Sequence, residues 1–191
     1  MKKLLGVAAA ALATTAALPA SALADERTCR GSLGAVTVDN LRVPAGATCT
    51  LTGTRVLGTV KVERAATLRA TSIRVVGNVQ AENAARVQVA SSRIGGSVQV
   101  KQGGGAEVTG TVVTGDVQLD ANSGAVQLLA SNAVNGSIQV VGNSSRVDIT
   151  RNLVDGNLQC KENRPAPTGG GNVVQGNAED QCARLATRTG G

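Results

Sequence analysis

Gly96-Ser-Val-Gln-Val100 and Gly115-Asp-Val-Gln-Leu119 are two copies of the short motif that decides the fold of this chain. Apolar and polar residues alternate within each copy, which is typical of a β-strand with one buried face. Successive copies begin 19 to 21 residues apart, at Asp39, Gly58, Gly77, Gly96, Gly115, Gly136 and Gly156, with a degenerate last copy at Gly176. The motif therefore predicts one short strand in every repeat.

Two further sets of apolar positions recur with the same period. One lies two residues before each glycine, at Val56, Val75, Ile94, Val113, Val134, Val154 and Val174. The other is a second alternating run, with the pairs Cys49/Leu51, Leu68/Ala70, Val87/Val89, Ala106/Val108, Val126/Leu128 and Val147/Ile149. Turn formers such as Pro44-Ala-Gly and Asn122-Ser-Gly separate the runs. Each repeat is therefore predicted to hold two or three short strands.

One repeat cannot bury its apolar side chains alone, whereas repeats stacked at about 4.8 Å bury continuous columns of like residues. We therefore predict an all-β, single-domain parallel β-helix of seven to eight coils of 19–21 residues each. This coil length favours a right-handed helix. The glycine that begins each copy is predicted to form a corner with positive φ. A phosphate-binding loop is disfavoured, because no glycine run opens a helix.

The first 24 residues have the pattern of a signal peptide. Lys2 and Lys3 precede an apolar stretch over residues 4–18, and Ala22-Leu23-Ala24 is a small-residue cleavage site. The apolar stretch is shorter than the ~20 residues of a membrane span. We therefore expect a secreted mature protein that begins near Asp25 and is not inserted in a membrane. The β-helix is predicted over residues 25–183, with a C-terminal cap loop at 161–175 and a flexible tail at 184–191.

The composition narrows the range of functions. The 191 residues include no His, Phe, Tyr or Trp. The chain therefore lacks the commonest general base and metal ligand near neutral pH, and it has no aromatic platform for stacking nucleic-acid bases. The formal net charge is +6, or +4 without Lys2 and Lys3. Such a charge allows attraction to anionic wall polymers without requiring a nucleic-acid partner, and we predict no cofactor and no metal.

Four cysteines in an exported chain allow two disulfides in three pairings. Cys29 precedes Cys49 by 20 residues and Cys160 precedes Cys182 by 22, so each pair spans about one coil. Neighbouring coils lie at a separation that a disulfide can bridge, whereas Cys29 and Cys182 belong to opposite ends. We predict Cys29–Cys49 and Cys160–Cys182, each pinning a terminal coil. A metal site or a thiol redox site is disfavoured, because His and a CxxC pair are missing.

Three outward columns of polar residues are candidate functional surfaces. The first column has one glutamine per coil and consists of Gln80, Gln99, Gln118, Gln139 and Gln159. It is predicted either to stiffen the sheet as an amide ladder or to form a flat binding face for a glycan or an ice-like surface. The second is a candidate anion contact, the alternative being that its long side chains splay into solvent: Arg55, Arg74 and Arg93. The third is Glu63, Glu82, Lys101 and Asp120.

The third column contains the only two carboxylates that are clearly stacked on adjacent coils, Glu63 and Glu82. Paired carboxylates can serve acid–base chemistry or share a Ca²⁺ ion. The neighbouring Lys61, Arg64 and Lys101 favour a solvated charge cluster instead. We therefore predict no catalytic residues here.

The Gly-x-Val-x-Val coils, the signal peptide and the terminal cysteines resemble a group of small secreted actinobacterial repeat proteins with no assigned activity. The segment from Pro165 to Asn172, followed by Gly176-Asn and Cys182, is similar to the ends of those chains. The resemblance covers about residues 29–183. Bactofilins and filamentous-haemagglutinin-type adhesins are more distant β-solenoids, the former intracellular and the latter far longer. The resemblance implies architecture rather than activity.

The leading prediction for function is a secreted, non-catalytic structural or cell-surface interaction protein that presents flat polar faces, with cell-wall or extracellular polysaccharide as a candidate partner. One alternative is a polysaccharide-binding or polysaccharide-cleaving, lyase-like β-helix. Another is a subunit that assembles end to end. Pectin-active β-helix enzymes use clustered acids that have no counterpart in this sequence, so we expect no enzyme.

Overall fold

The computed structural model describes residues 25–124 and 127–188, and in these residues the chain forms strands and turns without any helix. The strands belong to three parallel sheets, which we number in the order in which the chain visits them. Each full coil contributes one strand to each sheet, and about eight coils stack into a parallel β-solenoid. The predicted all-β fold is confirmed, with three strands per coil. The predicted signal peptide, residues 1–24, lies outside the described residues.

The sheets differ in the length of their strands. Sheet 1 contains Glu26–Thr28, Asn40–Val43, Val60–Val62, Val79–Glu82, Val98–Lys101, Val117–Asp120, Ile138–Val141, Leu158–Lys161 and Ala178–Asp180. Sheet 2 contains Gly31–Leu33, Thr48–Thr52, Thr67–Thr71, Arg86–Ala90, Ala106–Thr109, Gln127–Ala130, Val147–Thr150 and Thr168–Gly170. Sheet 3 contains Thr37–Val38, Arg55–Val56, Arg74–Val75, Arg93–Ile94, Val112–Val113, Ala133–Val134, Leu153–Val154, Asn172–Val174 and Ala186–Arg188.

Columns of small branched side chains fill the core. In sheet 1, Val60 pairs with Val79 and Val79 with Val98, and all three are fully buried. The apolar position two residues before each glycine is also buried in every coil, on sheet 3. Burial of such a side chain stabilises the fold by about 1.5–3 kcal/mol. Stacking of like residues therefore replaces the aromatic core that this chain cannot build.

One predicted inward pair, Val126/Leu128, is wrong. Val126 lies outside the described residues, and Leu128 is on the outer face opposite Glu107. Gln127 and Leu129 face inward instead and are fully buried. Two alternating patterns overlap in the sequence of this segment, one with Leu128 and one with Leu129 as its apolar member. The more apolar pattern, that of Leu128, does not match the register of the preceding coil, because this coil is longer than its neighbours.

The glycines that begin each copy have a different role from the predicted one, since their φ angles are not positive. They stack on one another so closely that a side chain does not fit. A Cβ atom on Gly77 would lie 2.7 Å from the carbonyl oxygen of Gly58, and one on Gly156 would lie 2.7 Å from that of Gly136. Glycine is therefore required here for the close approach of successive coils.

Positive φ occurs at the other two corners, mostly in residues other than glycine. The corner after sheet 1 has φ between 52° and 70° at Gly46, Ala65, Asn83, Gln102, Ala121, Gly142 and Glu162. The corner after sheet 2 has φ between 48° and 66° at Gly53, Ser72, Ser91, Gly110, Ser131, Arg151 and Gly171. A single residue in this left-handed region turns the chain sharply.

Buried asparagines follow these corners in the C-terminal coils. They form two ladders, Asn122–Asn143–Asn163, closed by Gln181, and Asn132–Asn152–Asn172. Each side-chain amide donates to the amide oxygen of the next rung at 2.8–3.0 Å. Each also donates to a backbone carbonyl, such as that of Val100 from Asn122. The interior corners are thereby hydrogen-bonded from coil to coil.

Both predicted disulfides are present near the ends of the solenoid. Their Cα–Cα distances are 5.6 Å for Cys29–Cys49 and 5.2 Å for Cys160–Cys182. The cysteines are not stacked directly, because Cys49 lies opposite Gly31 in its sheet and Cys160 lies opposite Asp180. Each bond therefore crosses a corner between adjacent coils.

The predicted C-terminal boundaries are wrong. The segment 161–175 is not a cap loop, because it supplies strands Thr168–Gly170 and Asn172–Val174 to sheets 2 and 3. The predicted tail at 184–191 begins inside the fold, where Leu185 is buried and Ala186–Arg188 pairs with Asn172–Val174. Gly169 replaces the usual branched residue because a Cβ there would lie 2.1 Å from a backbone oxygen of Ile149. Because its composition is atypical, this regular coil is not recognisable as one in the sequence.

Candidate functional site

The predicted glutamines lie together on the outer face of sheet 1, one on each of five consecutive strands. We call this column the ladder surface: Gln80, Gln99, Gln118, Gln139 and Gln159. Gln80 donates to Gln99 at 3.5 Å, and Gln99 donates to Gln118 at 3.2 Å. The predicted amide ladder is thus formed over these three rungs, which orients the side chains in one row.

The ladder surface continues at both ends with charged residues. Arg42 and Lys61 precede Gln80 in the register of sheet 1, and Glu179 follows Gln159. Gln159 donates to the Glu179 carboxylate at 2.8 Å. One face therefore runs from basic through neutral to acidic along the solenoid axis.

Glu63, which lies beside Glu82 on the neighbouring coil, is paired with Arg42. Glu63 accepts hydrogen bonds from the Arg42 Nε at 2.7 Å and from the backbone N–H of Ala45 at 3.0 Å. The Arg42 hydrogen bond is the main cause that lowers the pKa of Glu63, supported by the Ala45 N–H and by Lys61, while burial acts in the opposite direction. The Glu63 carboxylate therefore binds Arg42 and the adjacent turn at Ala45.

Arg42 is a neighbour of the candidate site that the sequence prediction missed. It lies 21 residues before Glu63, in a coil whose motif begins with Asp rather than Gly. Its place in the column of Lys61 and Gln80 is the only signal that could have identified it.

A shallow groove of about 570 Å³ runs beside the first rungs of the ladder surface. We call it the charged groove, and its polar lining includes Lys61, Arg64, Gln80, Glu82, Gln99 and Lys101. The predicted charge cluster of the third column therefore meets the predicted glutamine column here. Glu82 makes no ion pair with any residue among 25–124 and 127–188. The groove offers amide donors and acceptors, three cations and two carboxylates, those of Glu82 and of the Arg42-paired Glu63.

Asp120, the last member of the third column, lies beyond the charged groove. It pairs in register with Lys101 on one side and with Val141 on the other. Lys101 therefore separates Asp120 from Glu82 in this column.

The predicted arginines are in register on three neighbouring strands of sheet 3, and all are exposed. We call Arg55, Arg74 and Arg93 the arginine column. None of them forms an ion pair with a residue in the described part of the chain. The same column continues into apolar residues, beginning with Val112 and ending with Val173. Sheet 3 thus changes from cationic to apolar along its length.

On the outer face of sheet 2, Glu107 accepts a hydrogen bond from Gln88 and forms an ion pair with Arg86 at 3.2 Å. These charges compensate one another, which distinguishes this face from the arginine column. Residues 25–124 and 127–188 contain no group of three His, Cys, Asp or Glu placed to hold a metal ion. Nor do they include a helix of the length and hydropathy that crossing a bilayer requires.

The two disulfides favour an oxidising compartment for this protein. The function itself has to be argued from the ladder surface, the charged groove and the arginine column. Comparisons with protein-family models, with curated proteins and with solved structures give no match to this chain.

Proposed function

We propose that this protein is secreted and acts as a non-catalytic cell-surface interaction protein, with the ladder surface and the charged groove as its contact area for polysaccharide. The observation that carries the proposal is the junction of Gln80 and Gln99 with Lys61 and Lys101 in one groove. Side-chain amides donate and accept hydrogen bonds, as sugar hydroxyl groups do. Cations beside them favour a wall or extracellular polymer that carries some negative charge.

The geometry of the ladder surface suits an extended ligand. Single polar contacts at a water-exposed surface contribute only about 0.5–1.5 kcal/mol each. The hydrogen bonds between Gln80, Gln99 and Gln118 hold the amides in one row before a ligand arrives, which reduces the entropy lost on binding. A polymer that contacts several coils at once would add up these small contributions.

The state of Glu63 supports a non-catalytic role. A carboxyl group that acts as a general acid needs a raised pKa, whereas Arg42 lowers the pKa of Glu63. Glu82 lies between Lys101 on the following coil and Glu63 on the preceding one, and Glu63 is already paired with Arg42. The charged groove therefore favours binding over glycosidic cleavage.

The test is co-sedimentation of the oxidised mature protein with insoluble cell walls and glycans at low and at high salt. The variant Gln80→Ala/Gln99→Ala/Gln118→Ala removes three rungs, and Thr52→Ala/Thr71→Ala/Thr109→Ala is the matched control on sheet 2. We expect the first variant to lose binding and the control to retain it. Equal binding by both variants, or turnover of the glycan by the wild type, would contradict the proposal.

A further inference from the structure

The arginine column lies on sheet 3, away from the ladder surface on sheet 1. We propose that it is a second binding site, whose ligand is a linear polysaccharide with one carboxylate per sugar. This site does not depend on the function proposed for the ladder surface, because the two sites share no residues and lie on different sheets. Four features of the described residues lead to it.

The first feature is the spacing of uncompensated charge. Arg55 pairs in register with Arg74, and Arg74 pairs with Arg93, so their Cα atoms repeat at the strand spacing of about 4.8 Å. Like charges at this distance repel unless an anion lies among them. Two exposed arginines of this half have acids as partners, since Arg42 pairs with Glu63 and Arg86 with Glu107. The arginine column has none in the part of the chain that the structure describes.

The second feature is an uneven distribution of charge along the solenoid. Residues 25–101 contain eleven Lys and Arg against five Asp and Glu, whereas residues 102–188 contain six against eight. The whole arginine column lies in the first half. The field of this half attracts a polyanion, and planar guanidinium groups bind carboxylates with two parallel hydrogen bonds.

The third feature identifies the ligand as a sugar polymer. Leu57 and Val76 lie two residues after Arg55 and Arg74, on the same outer face, and are 42% and 53% exposed. The backbone N–H of Val76 donates to the carbonyl of Val56, which keeps this apolar pair in the same register as the arginines. Sugar rings have faces of C–H groups that can cover such residues. A chain of phosphates offers no apolar surface to this pair. A carboxylated sugar polymer therefore matches both the arginine column and the apolar pair.

The fourth feature is a shallow depression of about 360 Å³ on the other side of the arginines. Ser72 and Ser91 line it together with Arg74, Arg93 and Val112. Both serines have positive φ at the corner after sheet 2. Their hydroxyl groups can donate to and accept from sugar hydroxyls next to each carboxylate.

The experiment is calorimetric titration of the oxidised mature protein with polygalacturonate at low salt. The variant Arg55→Gln/Arg74→Gln/Arg93→Gln removes the column, and Arg30→Gln/Arg69→Gln/Arg164→Gln removes the same charge elsewhere. We expect the first variant to bind about tenfold more weakly and the control to stay within about twofold of the wild type. Fully methyl-esterified polygalacturonate, which has the same rings without charge, should not bind.

Two further variants separate this proposal from its alternatives. Leu57→Ser/Val76→Ser should weaken polygalacturonate binding by about threefold and leave the binding of polyphosphate unchanged. In the background of the ladder variant Gln80→Ala/Gln99→Ala/Gln118→Ala, the arginine variant should still bind polygalacturonate about tenfold more weakly. Equal losses in both arginine variants, equal affinity for polyphosphate and polygalacturonate, or no binding at low salt would each overturn the proposal.

Discussion

Replacement of Asn143 by Ala tests whether the buried asparagine ladders hold the solenoid together. The Asn143 side-chain oxygen accepts the backbone N–H of Asn122 at 3.0 Å, and its Nδ2 donates to the carbonyl of Leu119 at 3.0 Å. The same Nδ2 donates to the Asn163 side-chain oxygen at 2.8 Å. Alanine keeps the backbone of residue 143 and removes all of these side-chain hydrogen bonds.

The expected cost follows from the buried groups that lose a partner. The backbone N–H of Asn122 lies inside the fold and loses its acceptor, and leaving a buried group unsatisfied costs about 1–3 kcal/mol. The lost hydrogen bonds to the Leu119 carbonyl and to Asn163 add about 0.5–1.5 kcal/mol each. The total of about 2–6 kcal/mol is a large share of the ~5–15 kcal/mol by which domains are stable. We therefore expect Asn143→Ala to lower the free energy of unfolding by about 3 kcal/mol.

The assay is denaturant unfolding of the oxidised protein followed by far-ultraviolet circular dichroism, since the chain has no Tyr or Trp whose fluorescence could report. Gln139→Ala is the control, because it removes an amide from the outer face of the same coil. It should change the free energy of unfolding by less than about 0.5 kcal/mol. Equal stability of the two variants would refute the view that the ladder is a principal source of stability.

Three other perturbations have defined outcomes. Gly77→Ala forces a Cβ into the coil below and should cost about 3 kcal/mol, whereas Gly142→Ala meets no atom within 4 Å and should cost about 1 kcal/mol in the same denaturation experiment. Because the pKa of Glu63 is lowered from 4.5, its stabilising effect is present at neutral pH and is lost as the pH falls below that value. The advantage of the wild type over Glu63→Gln in denaturation midpoint should therefore disappear in acid. Cys160→Ser/Cys182→Ser should destabilise the fold by about 3 kcal/mol and expose the last coil to proteolysis, which mass spectrometry of the fragments would detect.

The sequence predicts the parts of the fold that depend on repetition. Val60, Val79 and Val98 occupy equal positions in successive copies, so stacking alone puts them in one column. The disulfide pairing follows in the same way, because a separation of one coil is the only short distance in a solenoid. The strand of residues 127–130 cannot be placed in this way, since its repeat is longer than the others and two alternating registers are equally regular in sequence.

The interior amides and the left-handed corners are not predictable in this way. Asn122-Ser-Gly has the composition of any turn, and only the stacking of coils shows that the Asn122 side chain points inward. Ala65 adopts a φ of 57° without a glycine, because the coils on both sides impose the corner. The pairing of Arg42 with Glu63 likewise depends on the contact between two coils rather than on any local pattern.

The two halves of the solenoid differ in a way that links stability to the proposed binding sites. After residue 120 both interior corners carry asparagines, whereas the earlier coils have Ala84 and Gly103 or Thr54 and Ser92 at the same corners. The charged groove and the arginine column lie in the earlier coils, where the outer surface is basic. Asn143 is about three coils, roughly 14 Å, from Arg93, and effects at such a distance are normally additive. We therefore expect Asn143→Ala, under conditions where it is folded, to bind polygalacturonate as tightly as the wild type. A parallel loss of affinity and stability would show that the C-terminal ladders also set the spacing of the arginines, and that the solenoid transmits register along its whole length.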